Sequence, residues 1–212
     1  MTDPELRSVT RLRRANDPLL LQPWPTTAEN RYPGLFDELA RLLGDSFDPR
    51  ILSFGCSTGE EVRAMKSRLP HGKITGIDIN PYAIAIAKAR DPGGDYRLAS
   101  APPVGEKFDA VLALAVCRHG ELEKGAPHEC SQILPFEKFE AGMGSLDAAL
   151  VEGGTLALWN SHFRFVDLAM AERYEVEGFR AEEPPLDLLY GWDNKRLEGV
   201  TESAALFRKL RD

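Results

Sequence analysis

Three groups of residues carry most of the chemistry this chain could perform. The first is Gly55-Cys56-Ser57-Thr58-Gly59-Glu60-Glu61, followed downstream by Asp78. Glycine in such a run permits a tight turn and lets a ligand approach the backbone, because no Cβ blocks either. An acid at the tip of the following strand can accept hydrogen bonds from two ribose hydroxyls, so the pair points to a nucleoside-containing cofactor. The second group is Cys117, His119, His128 and Cys130, within a stretch of little periodicity. Cys-x-His and His-x-Cys can be drawn as a tetrahedral zinc site. The spacing matches no common finger, and one-residue gaps strain chelation by both members of each pair, so no metal is expected. The third group is Asn160 and His162, just after an apolar run that reads as a strand. With His119 they make three polar groups that could converge on a substrate, although each alone also fits a hydrogen-bonded loop.

These residues need elements to hold them. Ile51–Phe54 is a short apolar run that reads as a buried strand, and Val62, Met65 and Leu69 recur at helical spacing over 60–69. Lys73–Ile79 is a second strand ending near Asp78. Strand, glycine turn, helix and strand form one βαβ unit, whose ligands bind outside the carboxyl ends of the strands. A dinucleotide fingerprint, Gly-x-Gly-x-x-Gly, would need glycine where Ser57 and Glu60 stand. Glu60 would also bring negative charge to the helix N-terminus where a pyrophosphate would sit. An NAD-dependent oxidoreductase is therefore disfavoured.

The stretch resembles the class I S-adenosylmethionine-dependent methyltransferases, and its Gly55–Glu61 wording is similar to the branch containing the chemotaxis receptor methyltransferases. It departs from the commoner family pattern at Ser53, where that pattern has Asp, and at Ser57, where it has Gly. The resemblance continues through Gly76-Ile-Asp-Ile79, Phe108-Asp-Ala-Val-Leu112 and Glu152-Gly-Gly-Thr-Leu156, over about half the chain. It implies an α/β fold with a doubly wound, mostly parallel seven-stranded sheet in the order 3-2-1-4-5-7-6. It implies S-adenosylmethionine as cofactor, with Gly55, Cys56, Ser57 and Gly59 at its methionine part and Asp78 and Ile79 at the ribose. Ala99 and Ser100 fall at the adenine, and Glu60 beside the turn is placed to help receive the α-ammonium, although a first-turn acid also stabilises a helix with no ligand at all. The family fold puts the transferred methyl near the tip of the fourth strand, a few residues before His119. A neutral imidazole there, of ordinary pKa about 6.5, could serve as general base, with activity falling below roughly pH 6. The expected reaction is methyl transfer to an O or N nucleophile of a small molecule. A methyltransferase-like subunit that binds the cofactor, or nothing, and regulates a partner is the alternative.

The rest of the chain fits one domain, with 1–49 as a helical and irregular cap on a cofactor-binding domain over 50–212. The spacing predicts a short basic helix near Leu6–Arg14, a proline-rich irregular stretch over 22–33, and an amphipathic helix through Leu35, Phe36, Leu39, Leu42 and Leu43. By the resemblance such a leading segment often caps the cleft, which makes Trp24, Arg31 and Tyr32 lid candidates. Asn80-Pro81 opens a further helix, with Asn as cap and Pro at the first helical position. Strands follow at Tyr96–Ala99, Phe108–Leu114 and Thr155–Trp159, with a long irregular loop over 115–131 and a helix from Phe136 that stops at Gly153-Gly154. The tail predicts a short helix around Val166–Glu172, a strand over Tyr174–Phe179, a polar connection over 181–201 and a last strand at Ala204–Leu210. A net charge of −7 repels phosphate backbones, so nucleic acid is not an expected partner. Three cysteines make no disulfide framework, no apolar run is long enough to span a membrane, and the first residues lack a signal-peptide pattern. A cytoplasmic location is the expectation.

Overall fold

The computed structural model describes residues 3–15, 17–44, 46, 48–179 and 187–211. In chain order the elements are α1 (Pro4–Ala15), α2 (Pro33–Leu43), β1 (Arg50–Phe54), α3 (Glu60–Arg68), β2 (Lys73–Asp78), α4 (Pro81–Arg90), β3 (Asp95–Leu98) and β4 (Phe108–Leu114). There follow α5 (Gly120–Gly125), α6 (Phe136–Ala149), β5 (Leu150–Trp159), two 3-10 turns at Phe165–Asp167 and Ala169–Arg173, β6 (Tyr174–Val176), β7 (Leu189–Tyr190), β8 (Arg196–Leu197) and β9 (Leu206–Lys209). Seven strands form one sheet in the order β3-β2-β1-β4-β5-β9-β6. The first five are parallel, and β9 runs antiparallel to both β5 and β6. With the small hairpin β7–β8 set aside, this is the expected order 3-2-1-4-5-7-6. The chain leaves β1 toward β2 on one side and returns to β4 on the other, which opens a crevice at the carboxyl ends of β1 and β4.

Period-two alternation assigns each strand residue to one of two cores. On β4, Val111 and Ala113 join a cluster with Leu52, Phe54, Phe139 and Met143, whereas Ala110, Leu112 and Leu114 join Phe36, Leu39, Val62 and Met65. Helices α2 and α3 thus cover one face and α6 the other, and both faces of the parallel region are dry. Full burial of a side chain such as Leu39 or Phe139 stabilises by about 1.5–3 kcal/mol. Helix α4 forms although Ala83-Ile-Ala-Ile-Ala87 alternates like a strand. Asn80 Oδ1 accepts the Tyr82 N–H at 3.0 Å, and Pro81 supplies the fixed φ of a first helical position.

The structure departs from expectation in several places, and the short helix expected around Val166–Glu172 is instead two 3-10 turns. Loop 115–131 is not irregular throughout but contains α5, one and a half turns or so capped by His119. Strand β5 begins at Leu150 rather than Thr155, because α6 passes directly into extended backbone and Leu150 pairs with Phe108 before an irregularity in the ladder. The polar connection after β6 holds the hairpin β7–β8, anchored where Tyr190 N–H donates to the His162 carbonyl at 2.8 Å. Residues 180–186 of that connection lie outside the described residues. Among the described residues no helix is long and apolar enough to cross a membrane.

Candidate active site

A cavity of about 320 Å³ opens over the carboxyl ends of β3, β2, β1 and β4. Following the strand order, its floor runs from Ala99 and Ser100, past Asp78 and Ile79, past Phe54, Gly55 and Ser57, to Leu114, Ala115 and Val116. The chain turns sharply at each of these tips. Gly55 has φ +71°, and a Cβ there would meet a Val116 methyl carbon at 2.6 Å. Gly59 has φ +90°, and its Cβ would meet the Tyr96 ring at 2.8 Å. Both positions demand glycine on conformational and steric grounds together.

Asp78 sits at the mouth of this turn. Its Oδ2 accepts the Ser57 N–H at 2.9 Å and its Oδ1 accepts the Asn80 N–H at 2.7 Å. Burial raises its pKa while these two bonds pull the other way. Glu61, in the first turn of α3, reaches the same cavity. Ser53 Oγ donates to its Oε2 at 2.9 Å, so an acid on α3 meets the strand position that holds Asp in the commoner family pattern. Burial pushes the Glu61 pKa up to about 8, with the Ser53 bond and the Arg31 charge opposing. Arg31 also lines the cavity, its guanidinium 5.2 Å from the Tyr32 ring centroid. Among the described residues it makes no salt bridge, so a cation beside Glu61 is available to a ligand carboxylate.

The roof is the segment between α1 and α2. Leu19, Leu21, Gln22, Trp24 and Pro25 all face the cavity. Ser57 Oγ donates to the Pro25 carbonyl at 2.8 Å, and Gln22 Nε2 donates to the Arg118 carbonyl. Of the three lid candidates, Trp24 and Arg31 line the cavity. Tyr32 is buried, and its hydroxyl accepts from Asn160 Nδ2 at 2.9 Å. Beyond the β4 tip the far wall holds Arg118 paired with Glu123 at 2.6 Å.

Of the cofactor residues expected from the sequence, Gly55, Ser57, Asp78, Ile79, Ala99 and Ser100 meet at the cavity. Gly59, the left-handed N-cap of α3, does not line it, and neither does Cys56. Its thiol packs against Gly76, where a Cβ would stand 2.9 Å from Sγ, and burial raises its pKa. Glu60 points elsewhere: its Oε1 accepts from Thr58 Oγ1 at 2.6 Å and from Arg90 at 2.7 Å, across to α4. Adjacent helical residues are rotated about 100° apart, so only one of the two acids can face the crevice. Glu61 is the residue sequence reasoning missed. The four-residue spacing Glu61–Met65–Leu69 places it on the same stripe as two buried apolar side chains, a signal that was available.

The expected catalytic residues are not brought to the cavity. His119 is 7% exposed and does not line it; its Nδ1 caps α5 by accepting the Glu121 N–H at 3.3 Å. Burial pulls its pKa down to about 4. His162 is fully buried, its Nδ1 2.9 Å from the Leu188 carbonyl and its Nε2 3.3 Å from the His119 carbonyl. Asn160 holds Arg118 and Tyr32 in place through its amide, so it shapes the wall without forming it. Cys117 and Cys130 are free, buried thiols with pKa pushed up to about 12. Among the described residues no three His, Cys, Asp or Glu side chains are grouped to hold a metal ion.

Comparison with known proteins agrees with this geometry. Residues 51–135 match the family described as methyltransferase domain. The chain is 27% identical over 88 residues to a demethylmenaquinone methyltransferase of Thermotoga maritima, covering 40% of this chain and 38% of that protein. It is 35% identical over 85 residues to a trans-aconitate 2-methyltransferase of Rhodopseudomonas palustris, covering 38% of this chain and 32% of that one. It thus spans less than two fifths of either curated relative. Among solved structures it is similar to a TehB-like SAM-dependent methyltransferase from Corynebacterium glutamicum, with TM-score 0.51 and 18% identity over 96% of this chain and 95% of the other. That likeness carries the fold across nearly the whole chain, and the family match falls on the segment that builds the crevice. Residues 51–135 thus carry a methyltransferase domain, on a fold shared with S-adenosylmethionine-dependent methyltransferases.

Proposed function

We propose that this protein transfers a methyl group from S-adenosylmethionine to an oxygen or nitrogen of a small molecule. One observation carries the reading: Asp78, Glu61 and Arg31 face one cavity over the glycine turn. Ala99 and Ser100 would flank the adenine and Asp78 would take the ribose hydroxyls. The Glu61 carboxylate would receive the α-ammonium, and the free Arg31 guanidinium the α-carboxylate. An acid and a cation side by side suit the zwitterionic end of an amino acid better than a pyrophosphate, which an acid would repel. When bound, the cofactor supplies a sulfonium methyl and its own leaving group.

The acceptor would lie beyond the β4 tip, between Val116, Leu19, Leu21 and Trp24, with the Arg118–Glu123 pair at the far wall. A roofed cavity of this volume favours a small acceptor over a protein side chain or RNA. The names of the curated relatives, for demethylmenaquinone and for trans-aconitate, support a small molecule rather than a macromolecule as acceptor. The chain's own part is to bind, align and exclude water: Leu19, Leu21 and Trp24 close the site, and the Asn160 amide fixes Arg118. In this reading alignment supplies most of the rate, and the acceptor arrives with its nucleophilic lone pair available. Calorimetry with S-adenosylhomocysteine tests the cofactor, with micromolar binding of one equivalent expected. Labelled methyl transfer into a metabolite extract tests turnover and separates an enzyme from a binding subunit. Tight binding of NAD and none of S-adenosylhomocysteine would refute the proposal.

A further inference from the structure

Three constraints meet at Ser57. Its φ is +49°, in the left-handed region that glycine adopts most easily. Its N–H donates to Asp78 Oδ2 at 2.9 Å. Its hydroxyl donates to the carbonyl of Pro25, 32 positions earlier in the chain, at 2.8 Å. A glycine would make the same turn with less strain. What the serine side chain adds is therefore the bond to Pro25, in the middle of the segment that roofs the cavity. The other hydrogen bonds from that segment to the body lie toward its ends, Gln22 to the Arg118 carbonyl, Glu29 to Arg63 and Tyr32 to Asn160, while the Trp24 ring beside Pro25 has the Arg13 guanidinium 5.8 Å from its centroid. Ser57 is 6% exposed, so water does not readily replace Pro25 as its partner.

We propose that Ser57 is a latch, a positioning residue that joins closure of the 19–31 roof to occupation of the cofactor site. The latch itself rests on the hydrogen bonds above; its link to the cofactor rests on the reading of Asp78 as the ribose acid. A ribose donating to Asp78 fixes the carboxylate that holds the Ser57 N–H. The turn so held presents the hydroxyl to Pro25, and the closed roof would lie over the methionine end. Release of the cofactor requires that bond to break. The latch thereby sets residence time in the site, while the affinity of the open turn is set by Asp78, Glu61 and Arg31.

The test is Ser57→Gly, which keeps the backbone conformation and removes only the hydroxyl and its methylene. Hydrogen exchange of the ligand-free protein should show the amides of 19–31 exchanging about tenfold faster, the factor for one hydrogen bond of roughly 1.4 kcal/mol. The amides of β1 and α3 should be unchanged and the melting temperature not lowered. Stopped-flow measurement with S-adenosylhomocysteine should show dissociation faster by a similar factor. Roof exchange within twofold of the wild type overturns the latch, and so does an acceleration that spreads equally through β1 and α3. If roof exchange accelerates but dissociation does not, the coupling to the cofactor is overturned. Failure of the wild type to bind S-adenosylhomocysteine would instead sink the cofactor reading, and exchange alone would then decide the latch.

Discussion

Replacing Asp78 by alanine separates two kinds of work done by one carboxylate. In the free protein its oxygens hold the N–H groups of Ser57 and Asn80 at 2.9 and 2.7 Å. Losing these acceptors costs up to about 1–3 kcal/mol for each donor left dry, but the cavity beside them admits water and softens that. Burial also raises the Asp78 pKa, so removing the charge recovers part of a desolvation penalty. The net loss of folding stability should be small, about 1–2 kcal/mol. Affinity should suffer more. Two ribose hydroxyls donating to an ionised carboxylate contribute together about 2–3 kcal/mol, at the low end for hydrogen bonds to a charged group. That is roughly a 30- to 160-fold loss in S-adenosylhomocysteine affinity. Calorimetry supplies the binding constant, and circular dichroism with a melting curve confirms that the variant is folded. Affinity within threefold of the wild type, in a folded variant, would refute the assignment of Asp78 to the ribose and with it the orientation of the cofactor.

Two further outcomes follow from the titrating groups. Glu61, with its pKa pushed up to about 8, is largely protonated near pH 7 in the free protein, and an ammonium partner favours its ionised form. Binding of S-adenosylhomocysteine should therefore release protons between pH 6 and 8, seen as a buffer-dependent calorimetric enthalpy; affinity should rise with pH across that range and flatten above it. Glu61→Gln should abolish the proton release, and its persistence would show that another group is the source. His119 has a folded pKa of about 4, below its ordinary value, so the unfolded chain binds more protons between pH 6.5 and 4. Its contribution to stability is full above pH 6.5 and is lost as pH falls through 4. His119→Ala should lower stability at pH 7 by about 1 kcal/mol through loss of the α5 cap, while turnover changes little. A turnover loss of about 10²–10⁴ with unchanged cofactor affinity would instead identify the imidazole as a general base.

What the sequence determined by itself is whatever depends on local pattern. Apolar runs of four to seven residues at β1 and β4, glycines at 55 and 59, the acid at 78 and the Asn80-Pro81 start each act through neighbours in the chain. They specify a βαβ unit and the strand tips where a ligand sits, while the order of the seven-stranded sheet was legible through the family resemblance. Helix phase is also local, and it holds the distinction between Glu60 and Glu61. What only the tertiary structure decided is the set of partners far apart in sequence. Whether His119 faces a substrate or caps a helix depends on how α5 packs beneath His162 and the β7–β8 hairpin, contacts with elements more than forty residues away. Whether the proline-rich stretch roofs the cavity depends on bonds such as Ser57 to Pro25 and Gln22 to Arg118, across 32 and 96 positions. No periodicity announces these, since a loop takes its shape from the surfaces it covers. The cofactor crevice was therefore legible in the chain, while the groups that close it and face the acceptor emerged only when the sheet had brought their elements together.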